Sequence, residues 1–153
     1  MNALTTRTTV SPLRKTSSVA LDDQTGHLLR CAHKRASAIF ASILSDHQLT
    51  PPQYFAMVRL SEVGRLSQNH LGRMTAMHPA TIQGVIQRLC ERGFITRTPD
   101  RNNRRRIVLQ LTAAGSGAVE ALQVRMVETN DAILAPLNAG ERELFLGFLK
   151  RLA

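Results

Sequence analysis

Between positions 88 and 106 stand seven arginines, Arg88, Arg92, Arg97, Arg101, Arg104, Arg105 and Arg106, against two acids, Glu91 and Asp100. A guanidinium offers a planar fork of donors that matches a phosphate or a guanine edge, so this bias suits a polyanion contacted geometrically. Arg104, Arg105 and Arg106 follow a Pro99-Asp100-Arg101-Asn102-Asn103 stretch and so sit at the tip of a turn. Upstream, Gln83 and Gln87 share one helical stripe four residues apart. A glutamine amide pairs with N6 and N7 of adenine, and Thr81 beside them suits a thymine methyl or a phosphate. Arg73 and Arg88 are placed for phosphate contacts, which supply affinity without sequence choice. Plain solvent exposure is the competing reading for Thr81, Gln83 and Gln87, as it is for Arg92 and Arg97.

The whole chain agrees with this local chemistry. Its 153 residues carry 20 Lys+Arg against 11 Asp+Glu, a formal net charge of +9, and 43% are apolar. That is the composition of one folded basic domain. Seventeen of the twenty cations are arginine and three, Lys15, Lys34 and Lys150, are lysine. No stretch approaches the ~18 apolar residues of a membrane span, and residues 1–20 hold no apolar block of a signal peptide, so neither membrane insertion nor export is expected. Cys31 and Cys90 lie far from each other and from any ligand-spaced histidine, which argues against a disulfide or metal framework and for a reducing cytoplasm. No cofactor is expected. A nuclease would need convergent carboxylates, and the acids show no paired spacing on the basic segment.

The elements that must position these groups are marked by their punctuation. Residues 1–22 are rich in Ser, Thr and basic residues and read as a flexible basic tail, either idle or a contacting arm. From about Gln24 a helical stripe runs through Leu28, Ala32, Ile39 and Ile43, with Leu29, Ala36, Phe40 and Leu44 on its flank. Thr50-Pro51-Pro52-Gln53 is a capping box with proline in the first turn, and Gly64 stops that helix. Ser67 caps a short third helix, broken at Met77-His78-Pro79. A fourth follows to Arg92 with Ile82, Val85, Ile86 and Leu89 inward, and Gly93 ends it. Two β-rich runs, Phe94 to Arg97 and Ile107 to Leu111, flank the arginine turn as a hairpin. Thr112 then caps a long helix, and Asn138 with Glu141 caps a last one whose stripe of Leu144, Phe145, Phe148, Leu149 and Leu152 has little chain left to cover it.

Helix, turn, helix and a basic hairpin make a mainly α fold with a small β wing, a winged helix-turn-helix. The order Leu-Thr-Pro-Pro-Gln, the helix from Thr81 through Leu89-Cys90-Glu91-Arg92-Gly93-Phe94-Ile95-Thr96-Arg97, and the close in Leu111-Thr112-Ala113-Ala114-Gly115 resemble the MarR family of bacterial regulators, over residues 24–153. The resemblance implies one structural domain with residues 23–49 and 113–153 as dimerisation helices and 50–112 as the DNA-binding region. The family wing has an Asp-x-Arg tip; here the arginine is Arg105 and the aspartate position holds Asn103, which questions the usual bracing of the wing.

What the resemblance implies about function is a homodimeric regulator, usually a repressor, on a double-stranded pseudo-palindromic operator. It would be released by a small aromatic carboxylate. The segment Arg30 to Phe40 is similar to a branch that responds to hydroxylated aromatic acids, including regulators of nicotinate degradation, so 6-hydroxynicotinate and hydroxybenzoates enter as candidate effectors. His33, Arg35 and Tyr54, near the junction of the first two helices, offer the cations and hydrogen bonds such an acid wants, or face water or a partner chain. Two alternatives stay open: an oxidant sensor using Cys31 or Cys90, and a non-specific architectural nucleic-acid-binding protein.

Overall fold

The structure, a computed structural model, describes residues 20–100, 103 and 105–152. Arg101, Arg104 and the expected tail through residue 19 therefore lie outside the described residues. A turn of 3-10 helix at Leu21–Asp23 leads into α1 (Thr25–Leu44), and a second at Ser45–His47 follows it. Then come α2 (Pro51–Val63), α3 (Gln68–Met74), α4 (Pro79–Glu91), the antiparallel strands β1 (Ile95–Pro99) and β2 (Ile107–Leu111), α5 (Ala113–Leu134) and α6 (Ala139–Leu152).

Local chemistry sets most of these ends. The Thr50 N–H donates to Gln53 Oε1 at 2.9 Å, satisfying one of the donors a helix start leaves open. The Asn138 and Glu141 side chains exchange bonds with each other's backbone N–H at 2.8 and 3.0 Å, a reciprocal box at the start of α6. Gly64 and Gly93 close α2 and α4 with φ of 87° and 70°, a region that costs glycine nothing. Thr112 Oγ1 accepts the Gly115 N–H at 3.0 Å and starts α5.

The core joins α2, α3, α4 and the hairpin to the inner face of α5. Leu44, Met57, Leu60, Leu71, Ile86, Leu89 and Leu122 are fully or almost fully buried within it. The inward residues of α4, Ile82, Val85, Ile86 and Leu89, are all buried, and this turns Thr81, Gln83, Gln87 and Arg88 outward. Apolar burial of that size, at about 25 cal/mol per Å², fixes the face of α4 far more firmly than its surface residues do.

The hairpin pairs Ile95 with Leu111 and Pro99 with Ile107, and Leu66 adds a single antiparallel bridge to Leu109. One bridge of a single residue has no periodicity, so nothing in the sequence announces it. The sequence also gives no sign of the turn at residues 45–48, where Gln48 adopts φ 51°. At the far end, α6 has no buried residue, while Leu144, Phe148 and Leu152 are 61%, 54% and 73% exposed. Among the described residues no helix is long and apolar enough to cross a membrane.

Candidate nucleic-acid interface and adjoining cavity

Thr81, Gln83, Gln87 and Arg88 lie together on the exposed face of α4, and Arg73 is exposed near the end of α3. A Cβ placed on Gly84 would meet nothing within 4 Å, so the middle of that face is open to close approach. The Gln87 amide is not idle: Nε2 donates to Glu91 Oε1 at 2.9 Å. One N–H and the carbonyl oxygen stay available, which is the pair that an adenine edge takes.

The wing is built by hydrogen bonds around Asn103. Its Oδ1 accepts the Arg105 N–H at 3.1 Å, and its carbonyl oxygen accepts the Arg106 N–H at 2.8 Å. The amide oxygen thus makes a bond that a carboxylate would make there, so the departure from the Asp-x-Arg pattern leaves the turn braced. The Asp100 N–H donates to the Arg106 carbonyl at 2.7 Å and closes the base of the loop. Arg105 and Arg106 are both exposed. Arg106 also reaches Ser67 Oγ at 3.4 Å, tying the wing to the cap of α3.

Two further arginines hold the wing and α4 in place. Arg65 donates to Thr98 Oγ1 and the Pro99 carbonyl at 3.2 and 3.4 Å, bracing β1 from the α2–α3 link. Arg92 donates to the carbonyl oxygens of Gln48 and His47 at 2.6 and 2.9 Å and lies 4.7 Å over the Phe94 ring. Its planar fork therefore ties the C-terminus of α4 to the 45–48 turn. On the other side of that turn Asp46 pairs with Arg125 of α5 at 2.8 Å, and the guanidinium holds the Asp46 carboxyl below its ordinary value.

Behind this surface a cavity of about 460 Å³ opens between α1, α2, α5 and the α3–α4 turn. Phe40, Tyr54, Phe55, Val58, Met74 and Met126 supply its apolar wall, and Arg59, Glu62, Thr75 and Asn130 its polar groups. Phe40 and Phe55 meet edge to face with centroids 5.3 Å apart. Tyr54 is 6% exposed, and burial pushes its hydroxyl pKa up, so it stays a neutral donor. Ala76, on the rim, holds φ 52°, a conformation an alanine takes only when its surroundings impose it.

Of the three residues expected around an acid, Tyr54 lines this cavity, whereas His33 and Arg35 are not among its lining residues. Arg35 donates instead to the carbonyl oxygens of Ile133 and Ala132 at 2.6 and 3.2 Å, capping the end of α5, and His33 sits 3.4 Å from Ser37 Oγ. Arg59 and Glu62 also line the cavity, and the sequence does not single them out because an i,i+3 ion pair on a helix reads as ordinary surface. Cys90 is half-buried and Cys31 is exposed, with Sγ 3.5 Å from His27 Nε2. Among the described residues no group of three His, Cys, Asp or Glu is disposed to hold a metal ion.

Comparison with known proteins decides the family. Residues 49–107 match the MarR family profile. The chain is 35% identical over 130 residues to the HTH-type transcriptional repressor NicR of Pseudomonas putida, covering 85% of this chain and 82% of that protein. The chain belongs to the MarR family. Its fold superimposes with a TM-score of 0.82 on a probable transcriptional regulator from Pseudomonas aeruginosa, 46% identical, covering 87% of this chain and 99% of that one. With Bordetella bronchiseptica BpsR, whose DNA binding is regulated by 6-hydroxynicotinic acid, the TM-score is 0.81 at 31% identity, over 86% and 94% of the two chains. The architecture is thus the winged helix of MarR-family transcription regulators, with α4 as the second helix of the helix-turn-helix and β1 and β2 as the strands of the wing.

Proposed function

We propose that this protein is a cytoplasmic, homodimeric MarR-family repressor that binds a pseudo-palindromic operator and is released by a small aromatic carboxylate. The observation that carries the reading is the shared wall between cavity and reading head: Met74 at the end of α3, with Thr75 and Ala76 of the link to α4, lines the same space as Tyr54 and Met126. A ligand there touches the segment that orients α4. It shifts DNA affinity to the extent that it binds one orientation of α4 better than the other. The likeness to BpsR and NicR supports an aromatic acid as that ligand.

The bare face of α6 supports the dimer, since an apolar stripe of that size on a small chain wants a partner. Two copies would present α4 to successive major grooves roughly 34 Å apart, while Arg104, Arg105 and Arg106 reach the flanking minor grooves. Thr81, Gln83 and Gln87 would read base edges, and Arg73 and Arg88 would hold phosphates.

Fluorescence anisotropy with a duplex from the gene's own upstream region tests this reading. A regulator prefers that duplex to unrelated DNA by ~10³-fold or more, and 6-hydroxynicotinate releases it. Equal affinity for every duplex would favour the architectural alternative.

A further inference from the structure

The cavity carries one cation and one anion on the same wall. Arg59 and Glu62 stand about one helical turn apart on α2, joined by a single contact from Arg59 Nη1 to Glu62 Oε2 at 2.7 Å, and both side chains are about half exposed. A guanidinium has five N–H donors and a carboxylate two oxygens, so one contact leaves capacity on both groups. An exposed i,i+3 pair is also weak, and a bound molecule displaces or shares it at little cost. Beside the pair, the edge-to-face rings of Phe40 and Phe55 with Val58 and Met74 form an apolar wall that suits a flat ring.

Resting on the aromatic-acid reading above, we infer that Arg59 and Glu62 determine specificity by selecting ligands that carry a carboxylate and a hydrogen-bond donor on one flat ring. Arg59 takes the carboxylate and Glu62 accepts from the donor, a ring N–H or a hydroxyl. A ring bearing a carboxylate alone sets its charge near that of Glu62 with nothing to answer it. Because Glu62 is half exposed and keeps part of its hydration, the discrimination comes mainly from the two like charges brought close together and is modest in size. The pair therefore separates hydroxylated or N-heterocyclic acids from plain benzoate, although all of them fill the same slot.

Isothermal titration calorimetry of the full chain with 6-hydroxynicotinate and with benzoate tests the inference. The wild-type protein is expected to prefer 6-hydroxynicotinate by at least about tenfold. Glu62→Ala, at an exposed position, should bring the two affinities to within about threefold by weakening the first and strengthening the second. Arg59→Gln should weaken both acids alike. Equal wild-type affinities, or a preference that Glu62→Ala leaves unchanged, would overturn this inference while leaving the aromatic-acid reading intact. If the wild type binds neither acid, that reading falls and this inference with it.

Discussion

The Arg92 guanidinium donates to the Gln48 carbonyl oxygen across 2.6 Å, joining the end of α4 to the turn between α1 and α2. With its second bond to His47 and its place over Phe94, this side chain is committed to the protein rather than to DNA. Arg92→Ala should therefore cost stability, about 1.5–3 kcal/mol at most for bonds from a charged donor. The log-log salt dependence of operator binding should keep its slope. Anisotropy titrations at several salt concentrations check this, and a slope shallower by about 0.9 would instead make Arg92 a phosphate contact.

Arg105 gives the opposite expectation. It is exposed at the wing with its backbone fixed by Asn103. Arg105→Ala should weaken specific and random duplexes alike and reduce the salt slope by about 0.9. Asn103→Ala, which removes one turn-forming acceptor, should weaken operator binding by about 0.5–1.5 kcal/mol, while Asn103→Asp keeps the acceptor and stays near wild type. A full loss with Asn103→Asp would mean the neutral amide matters in its own right.

Gln87 and Glu91 form a unit that mutation can expose. If the Glu91 carboxylate orients the Gln87 amide toward a base, Gln87→Ala and Glu91→Ala should relax discrimination at the same operator position. The loss should be about 1–3 kcal/mol for the glutamine and smaller for its support. Gln83→Ala should act at a different position. Affinity changes that are uniform across operator variants would rule out base reading by these residues.

These contrasts also mark what the sequence reveals. Helix ends were legible because their causes are local: Thr50 with Gln53, Asn138 with Glu141, and Gly93 after Arg92 each act within a few residues. The outward set on α4 was legible because four inward residues at spacings 3, 1 and 3 leave no other choice of face. The cavity was not, since Phe40, Tyr54, Met74 and Met126 come from separate elements and no spacing relates them. Arg92 reads in the sequence as one more member of the basic run from 88 to 106, and Arg65 has no local signal at all. Only their hydroxyl and carbonyl partners, 33 to 45 residues away in the chain, distinguish a brace from a DNA contact.

Acid should act partly through Asp46. Arg125 holds its folded pKa below the ordinary aspartate value of about 3.9, so the pair stabilises the fold above that value and is lost as pH falls through the lower folded one. Asp46→Asn should melt below wild type at neutral pH, and the two curves should converge once the pH is well under the ordinary value. A constant gap at every pH would show that the ionised carboxylate is not what stabilises the turn.

The junction of wing and α5 allows no side chain at Gly115. A Cβ there would run into the Phe94 carbonyl oxygen and sit 3.1 Å from Leu111 Cδ2. That carbonyl is itself fixed by the Thr112 N–H at 3.0 Å, while Thr112 Oγ1 donates to the Gly93 carbonyl at 2.7 Å, so the backbone has little room to yield. Gly115→Ala should destabilise by about 1–3 kcal/mol or more, as overpacking does, despite the better helix propensity of alanine. Gly117 is the control: it lies in the same helix, and a Cβ there meets nothing within 4 Å. Gly117→Ala should stabilise by about 0.5–1 kcal/mol. Differential scanning calorimetry of the pair should give melting shifts of opposite sign, and two shifts of the same sign would contradict the packing at the wing's exit.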